Sequence, residues 1–421
     1  MKYKLENKYT IAILIKILML FLNIIESILL ARYLGTHLKG EITYINSISQ
    51  ILFLFGTLGI NATYPYFKKK EGKENILNTI MSLNLILFVI YLITSIILVF
   101  FINNVEVKYI LFVLPILCYN YNVLYIYTIE NPNKKNLIVL LLTILKILYL
   151  IFLTLFIKAN LFLGVTTIIV IPIIENIIFT KLIKYKFSFS YLKFYKILKL
   201  VKISYLTLIC NILTIANYKI DIIMLKHLNN ISLSEVGIYS VGIALTEKIF
   251  IIGDAIKEVL ISELSNGSST HKIAFLSRIS FSISFLIATL LCLMSKIIIN
   301  ILYGVEYIKA SQIINITIWG AIFMIFFKLI SQYNVINAKQ KVNNIFLIIT
   351  LFTNILLNII LMPKFGIIGV AISTSISYSI NSLLFIIYFH KETKIKYKDM
   401  LLIQKDDIKV IIDIFRRDYE K

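Results

Sequence analysis

The chain has 421 residues, of which 59% are hydrophobic and only 15% are charged. A soluble domain of this size needs more polar residues to cover its surface, so the composition excludes a soluble globular protein. The formal net charge is +21. Since nucleic-acid-binding proteins also have such an excess, the position of the basic residues along the chain matters.

Twelve apolar stretches of about 20 residues or more follow one another along the chain, and a helix of that length crosses the ~30 Å hydrocarbon layer of a bilayer. The stretches are apolar on all sides and lack the period-2 alternation of transmembrane β-strands. We therefore expect an all-α polytopic membrane protein with about twelve transmembrane helices. The expected spans are 9–31, 42–66, 76–101, 109–129, 136–157, 161–180, 203–225, 236–260, 274–299, 311–336, 343–362 and 367–389.

The basic residues lie mainly in alternate connections between these spans. With the N-terminus placed in the cytoplasm, 29 of the 43 Lys and Arg residues fall on the inner side and 8 on the outer side. An excess of positive charge in cytoplasmic connections is typical of integral membrane proteins and indicates their orientation. We expect both termini in the cytoplasm. No nucleic-acid partner is needed to explain the charge.

The longest inner connection, 181–202, divides the chain near its middle. It contains seven lysines among aromatic residues. This composition is typical either of a linker on an anionic membrane surface or of a solvated basic loop. The expected domains are an N-terminal six-helix bundle (1–180), this basic cytoplasmic linker (181–202), a C-terminal six-helix bundle (203–389) and a cytoplasmic tail (390–421).

Six spans on each side of the linker suggest an internal duplication. Gly40, before the second span, has a counterpart in Gly237, before the eighth, and Gly56 and Gly253 inside those spans show the same offset of 197 residues. Together with the equal span counts, these pairs favour a parallel internal repeat, an architecture found in many secondary transporters.

Twelve charged residues lie inside the expected spans when Arg278 and Lys296, at the two ends of the ninth span, are counted with the adjacent connections. Each of the twelve costs about 2.5 to 3.5 kcal/mol at mid-bilayer. They should therefore face the protein interior or water, and seven of them are on the seventh and eighth spans. They are Lys16, Glu26, Lys146, Glu175, Lys219, Asp221, Glu247, Lys248, Asp254, Lys257, Glu258 and Lys328. Those near span ends and those alone on apolar helices fit structural ion pairs as well as ligand contacts.

Motifs of catalysis are absent from the sequence. It has no GxxxxGK[ST] phosphate loop, no GxSxG nucleophile turn and no HExxH. The three cysteines lack CxxC spacing and the four histidines lie at span ends, so neither residue type indicates a metal site. We expect a protein that is not an enzyme and that has no cofactor.

Four segments resemble elements of polysaccharide-export flippases, in matching order and spacing along nearly the whole chain. They are ARYLGTHLKGEITY (31–44), YKIDIIMLKHLNNISLSEVGIYSVGIALTEKI (218–249), ILYGVEYIKAS (301–311) and INAKQKVNNIFLIITLFTNILLNIILMPKFGIIGVAISTSIS (336–377). The chain thus resembles the Wzx-type flippases of O-antigen and capsule repeat units. These belong to the MOP superfamily, which includes the MATE multidrug exporters and the lipid II flippases.

The resemblance implies two six-helix bundles around a central cavity that opens alternately to either side. The implied activity is transfer of an undecaprenyl-diphosphate-linked oligosaccharide from the inner to the outer leaflet of a bacterial cytoplasmic membrane. On this hypothesis Lys16, Lys219 and Lys248 are the candidates for binding the diphosphate or acidic sugars. The candidates for ion coupling or charge balance are Glu26, Asp221, Glu247 and Asp254.

The implied partners are the lipid-linked oligosaccharide, membrane lipids, a polysaccharide polymerase and chain-length proteins. Two other functions stay open. A MATE-type cation-coupled exporter of small molecules would use the intramembrane acids as its cation site. A membrane glycosyltransferase or polymerase is less favoured, because such enzymes usually have a long extracytoplasmic loop and every expected outer loop has about ten residues or fewer.

Overall fold

The computed structural model describes residues 7–227, 231–265, 270–404 and 407, with side chains described in those ranges except at 7–14, 16, 17, 258, 259 and 261–265. All regular elements within these ranges are helical. They are α1 (Asn7–Gly56), α2 (Tyr64–Glu71), α3 (Lys73–Phe101), α4 (Val105–Glu130), α5 (Pro132–Phe156), α6 (Leu161–Ile183), α7 (Phe194–His227), α8 (Leu233–Thr246), α9 (Phe250–Ser265), α10 (Thr270–Leu302), α11 (Ala310–Ile336), α12 (Gln340–Thr393) and α13 (Tyr397–Leu401).

The described part of the chain contains ten helical segments long and apolar enough to cross a membrane. Two of them, α1 with 50 residues and α12 with 54, each contain one non-helical residue where two helices meet. Counting their arms separately gives the twelve expected spans. The expected all-α polytopic membrane fold is confirmed.

Glycine makes both of these helix junctions possible. Gly35 in α1 has φ 65° and ψ 177°, and Gly366 in α12 has φ 56° and ψ −136°. A side chain is strongly disfavoured at such angles, whereas glycine adopts them readily. Each junction lies between two expected spans, so the chain changes direction there without a long loop.

The chain forms two compact units, Met1–Ser240 and Val241–Lys421. In the first unit, α1 packs against α4, α5, α6 and α7. The boundary between the units falls inside α8, so the seventh helix lies with the first six. The expected division into bundles at 181–202 stays a prediction.

Ion pairs in the first unit join the connections that an alternating topology places at the same end. Glu130 accepts from Lys68 Nζ at 2.6 Å and also pairs with Lys73. Lys199 Nζ lies 3.1 Å from Glu71 Oε1, which ties the start of α7 to the end of α2. The connections 67–75 and 130–135 and the linker 181–202 therefore share one end of the unit.

One side of the basic linker packs against the core of the first unit, and its other side is exposed. Its residues Tyr185, Leu192 and Ile197 pack against the buried core around Phe67 and Phe179. The opposite side is apolar and exposed, since the side chains of Phe189 and Phe194 are 73% and 74% accessible. The same segment contains seven lysines, of which Lys186 and Lys199 form ion pairs. Aromatic residues among lysines are typical of membrane interfaces, so contact with an anionic leaflet stays our prediction for this linker.

In the second unit, α11 packs against α9, α10 and α12. The short helix α13 lies on α10 and is held there by Arg278. The Arg278 guanidinium donates to Asp407 Oδ2 through Nε at 2.5 Å, to Asp407 Oδ1 through Nη2, and to the Asp399 carbonyl through Nη1 at 2.8 Å. Both side chains of this pair are buried.

The Arg278 pair sets the pH range over which the segment after α12 stays docked. Hydrogen bonds from Arg278 hold the pKa of the Asp407 carboxyl below its usual value of 3.8. Because the folded pKa is depressed, the pair stabilises docking at every pH above about 3.8 and loses that contribution only as the pH falls through the lower folded value.

We predict that Asp407→Asn undocks α13, because it leaves the buried Arg278 charge without its carboxylate. Hydrogen exchange at 397–401, corrected for the intrinsic pH dependence, should be about tenfold faster or more in the variant. The parent protein should stay protected from pH 7 to pH 4. Loss of protection between pH 7 and pH 5, or unchanged exchange in the variant, would contradict this assignment.

Candidate functional site

Four charged side chains of the first unit form a cluster, which we call the lysine cluster: Glu26, Lys39, Lys146 and Lys219. Glu26 and Lys39 are on α1, Lys146 is on α5 and Lys219 is on α7. Lys39 interacts electrostatically with each of the other three. All four side chains are half-buried. The cluster therefore unites three helices that are far apart in sequence.

The junction at Gly35 explains how α1 contributes two members. Glu26 lies nine residues before Gly35, on the first arm of α1, and Lys39 lies four residues after it, on the second arm. A straight helix would carry these residues about 20 Å apart along its axis. Since the chain changes direction at Gly35, both side chains face the same group of charges.

The lysine cluster has an excess of positive charge. Glu26 Oε1 lies 2.7 Å from Lys146 Nζ, so this pair is neutral overall. Among the described residues, no carboxylate forms an ion pair with Lys39 or Lys219. Three ammonium groups and one carboxylate give these four residues a formal charge of +2, and the buried Glu175 carboxylate on α6 also interacts electrostatically with Lys146. An excess of cationic charge within apolar helices is costly unless an anion or water compensates it, so the cluster is suited to bind an anion.

Asp221, two residues beyond Lys219, does not neutralise that lysine. Residues two apart on a helix point away from each other. The Asp221 side chain is only 2% exposed, and its Oδ2 accepts a hydrogen bond from Tyr239 Oη at 2.9 Å. Asp221 therefore links α7 to α8 in the first unit.

The eighth span is not a continuous α-helix. Residues Glu247–Ile249 form a 3-10 turn between α8 and α9. A 3-10 stretch inside a helix is frequent at functional hinges, and interrupted helices are typical of transporter binding sites. Glu247 and Lys248 lie in this turn. The turn also changes the helical register that would otherwise place Glu247 and Asp254 on one face.

Asp254 forms an interhelical ion pair in the second unit. Its Oδ1 accepts from Lys328 Nζ at 2.7 Å, and the Lys328 ammonium lies 4.8 Å from the centre of the Phe250 ring. This geometry supports the charge-balancing alternative for Asp254. It also gives Lys328, an isolated charge in the sequence, a structural partner.

The predicted residues thus fall into separate groups. Glu26 and Lys219 meet in the lysine cluster, and Asp221 lies nearby on α7, while Glu247, Lys248 and Asp254 belong to the second unit. The side chains of Lys16 and Glu258 lie outside the described part of the structure.

Lys39 is the functional candidate that the sequence analysis missed. The expected spans 9–31 and 42–66 leave Lys39 in the outer connection between them, where a lysine is unremarkable. The one available signal was Gly35 in the motif ARYLGTHLKGEITY, since a glycine junction there returns the following residues toward the first arm.

No family model matches this sequence. A stretch of 96 residues is 36% identical to an uncharacterized membrane protein of Methanocaldococcus jannaschii. The match covers 22% of this chain and only 18% of that protein, so the chain spans less than a fifth of the relative's length.

The similarity to solved structures covers nearly the whole chain. The lipid II flippase MurJ, in an inward closed conformation, is similar with a TM-score of 0.72 and 21% identity over 96% of this chain and 93% of that chain. An inward-facing MATE multidrug transporter of the MOP superfamily has a TM-score of 0.70 and 14% identity, covering 89% of this chain and 94% of that chain. The outward-facing form of such a transporter has a TM-score of 0.67 and 13% identity, covering 92% and 94%.

The chain therefore has the fold of the polytopic MOP-type transporters. It is similar both to the lipid II flippase MurJ and to MATE multidrug resistance transporters. Identities this low establish the fold, and the choice between these functions depends on the chain's own residues.

We predict that the Glu26–Lys146 pair stabilises the first unit. Glu26→Gln leaves Lys146 without its partner and should lower the free energy of unfolding by about 1 to 3 kcal/mol. This range lies between the costs of breaking an exposed ion pair and a buried one, because both side chains are half-buried. The double variant with Lys146→Gln should recover part of this loss. Unfolding in detergent micelles provides the measurement.

The exposed pair Lys186–Glu74, with Nζ and Oε1 3.5 Å apart, supplies the matched control. The corresponding cycle with Lys186→Gln and Glu74→Gln should show a coupling energy near zero, because solvent screens both groups. Equal coupling in the two cycles would show that the Glu26–Lys146 pair has no special energetic role.

Proposed function

We propose that this protein is a flippase for lipid-linked oligosaccharides, and that its substrate is an undecaprenyl-diphosphate-linked repeat unit of a surface polysaccharide such as O-antigen or capsule. The observation that supports this proposal is the +2 lysine cluster within a MOP-type fold. A flippase of this kind moves its substrate without forming or breaking a covalent bond, so we propose no enzymatic step.

The physical problem for such a substrate is its headgroup. A diphosphate and several sugars lose their hydrogen bonds to water on entering hydrocarbon, and the cost rises steeply for the charges. Lysine ammonium groups bind phosphate oxygens as compact point charges with three donors each. The polyprenyl chain needs no such site because it is as apolar as the lipid around it.

Within this proposal, Lys39 and Lys219 contact the diphosphate, since neither forms an ion pair with a described carboxylate. Lys146 lies beside them and is balanced by Glu26 at 2.7 Å. Glu26 then has two roles: it holds the Lys146 ammonium in place and limits the positive charge of the cluster when no substrate is bound. Lys16 and Lys248 stay candidates for the same diphosphate or for acidic sugars.

The second candidate function is a MATE-type exporter of small cationic molecules. The observation that favours it is the buried Asp221 carboxylate, which accepts a hydrogen bond from the Tyr239 hydroxyl. A carboxylate in that setting resembles a cation site, and Glu247 is the corresponding candidate in the second unit. Deletion of such an exporter would reduce drug resistance and leave surface glycans intact.

We further propose that the protein lies in the bacterial cytoplasmic membrane with both termini in the cytoplasm, and that a polysaccharide polymerase and chain-length proteins act with it. The support for this orientation is the excess of Lys and Arg in the alternate connections that include 181–202.

We predict that Lys39→Ala and Lys219→Ala each reduce surface polysaccharide export about tenfold to a hundredfold at equal protein level, since a hydrogen bond to a charged group contributes about 1.5 to 3 kcal/mol. Export is measured in cells that depend on this protein for their polysaccharide. Lys16→Ala and Lys248→Ala, tested alongside, show whether those residues share the role.

The control is Lys193→Ala, which removes an exposed lysine of the linker and should leave export unchanged. Full export by both Lys39→Ala and Lys219→Ala would reject the diphosphate assignment. Normal polysaccharide after deletion of the whole gene, with loss of drug resistance, would favour the exporter.

A further inference from the structure

The segment that follows α12 folds back against α10 and is fixed in place by contacts on its inner side. Its residues Ile395 and Met400 are only 4% and 1% exposed. His390 Nδ1 lies 2.7 Å from the Ile395 carbonyl oxygen, and the centres of the His390 and Tyr397 rings are 4.2 Å apart. The path of the backbone through this segment is therefore determined by buried groups.

The outer side of the same segment combines lysines with large apolar side chains. Tyr397, Leu402 and Ile403 are 42%, 64% and 46% exposed. The lysines between and before them are exposed as well. We call this surface the basic foot, defined by Lys394, Lys396, Tyr397, Lys398, Leu402 and Ile403.

The three lysines of the basic foot give it a local positive charge. No carboxylate among the described residues forms an ion pair with Lys394, Lys396 or Lys398. The nearby Asp399 side chain accepts a hydrogen bond from Gln404 Nε2 at 2.7 Å. The surface therefore presents ammonium groups and apolar side chains together, which suits an anionic partner that also has an apolar part.

The contact with α10 places the basic foot at the edge of the bilayer. Arg278, whose guanidinium binds Asp407 and the Asp399 carbonyl, shares a face of α10 with Phe285, two helical turns further along. Phe285 is 49% exposed inside the expected span 274–299, so this face contacts lipid. Arg278 lies about 10 Å back along the helix axis from Phe285. The basic foot therefore lies on a lipid-facing side of α10, at the depth where the hydrocarbon layer ends.

We propose that the basic foot binds anionic phospholipid headgroups at the surface of the bilayer. The three lysines contact lipid phosphates as compact point charges, and Leu402 and Ile403 enter the boundary between headgroups and acyl chains. Tyr397 lies at the level where tyrosine is enriched in membrane proteins. This binding does not depend on which substrate the protein transports.

A lipid surface fits the basic foot better than another protein does. Lysine is depleted in the cores of protein–protein interfaces, whereas an anionic membrane surface attracts clustered lysines. The foot has three lysines and three large apolar residues in a segment of ten. Because the buried Ile395, Met400 and Arg278 side chains already hold the segment in place, little conformational entropy is lost when lipids bind.

The first test measures the depth of the basic foot in a bilayer. The chain has one tryptophan, Trp319, so Trp319→Phe with Leu402→Trp leaves a single fluorescent reporter in the foot. The full-length protein is placed in vesicles whose acyl chains are brominated near the headgroups. In equal parts of phosphatidylglycerol and phosphatidylcholine, quenching of the reporter should be about twofold stronger or more than in phosphatidylcholine alone.

The matched control is a reporter of similar exposure inside the hydrocarbon layer. Phe352, in the first arm of α12, is 62% exposed, compared with 64% for Leu402. Trp319→Phe with Phe352→Trp should be quenched equally in both kinds of vesicle, because its surroundings do not depend on headgroup charge. Equal quenching of the Leu402→Trp reporter in the two kinds of vesicle, or no quenching in either, would overturn the proposal.

The second test removes the positive charge of the basic foot. In the Leu402→Trp reporter, the combined changes Lys394→Gln, Lys396→Gln and Lys398→Gln should bring the quenching ratio between the two kinds of vesicle close to one. High salt should have the same effect on the parent reporter, because it screens charges at the membrane surface.

The control for this test removes the same charge from exposed lysines of other connections, through Lys158→Gln, Lys309→Gln and Lys364→Gln. The Leu402→Trp reporter should then keep its preference for the anionic vesicles. A preference that survives loss of the three foot lysines, or that disappears in the control, would overturn the assignment of these lysines to lipid phosphates.

Discussion

The structure depends on one constraint: a charged or polar group inside a bilayer must find a partner within the protein, because hydrocarbon offers none. The helices satisfy their own backbone groups, and the described side chains largely follow the same rule. Glu26 binds Lys146, Asp254 binds Lys328, and Asp221 accepts from Tyr239. Each of these contacts joins two helices, and the two ion pairs join helices that are distant in sequence.

Charged residues that do not form an ion pair within the protein are the ones that indicate its function. Lys39 and Lys219 lie beside a neutral ion pair and are not themselves paired with a described carboxylate, so the cluster has an excess positive charge. An anionic substrate would supply the missing charge at the moment of binding. When no substrate is bound, the positive charge of the cluster is tolerable because half-buried lysines keep part of their hydration.

The sequence was sufficient for the architecture because hydropathy is a local property. All twelve spans, including the two pairs that merge into α1 and α12, follow from stretches of about 20 apolar residues. The offset between Gly40 and Gly237 was also visible. Their direct contact, which brings α1 and α8 together, was not, because a repeat in sequence does not say whether its copies touch.

The site was harder to predict because it depends on long-range pairing. Lys146 and Lys328 were isolated charges in the sequence, and their partners lie on other helices. Lys39 was assigned to a connection because the sequence does not show that the helix resumes directly after Gly35. The 3-10 turn at Glu247–Ile249 contains no glycine or proline, so the sequence does not predict it.

The central claim is that the lysine cluster recognises a diphosphate and so selects a lipid-linked saccharide. The most direct measurement places the purified protein in vesicles with two fluorescent polyprenyl saccharides, one joined through a diphosphate and the other through an uncharged ether. We expect rapid translocation of the diphosphate lipid only, and loss of that preference in the Lys39→Ala, Lys219→Ala double variant. Equal translocation of both lipids by the unmodified protein, or of neither, would contradict the claim.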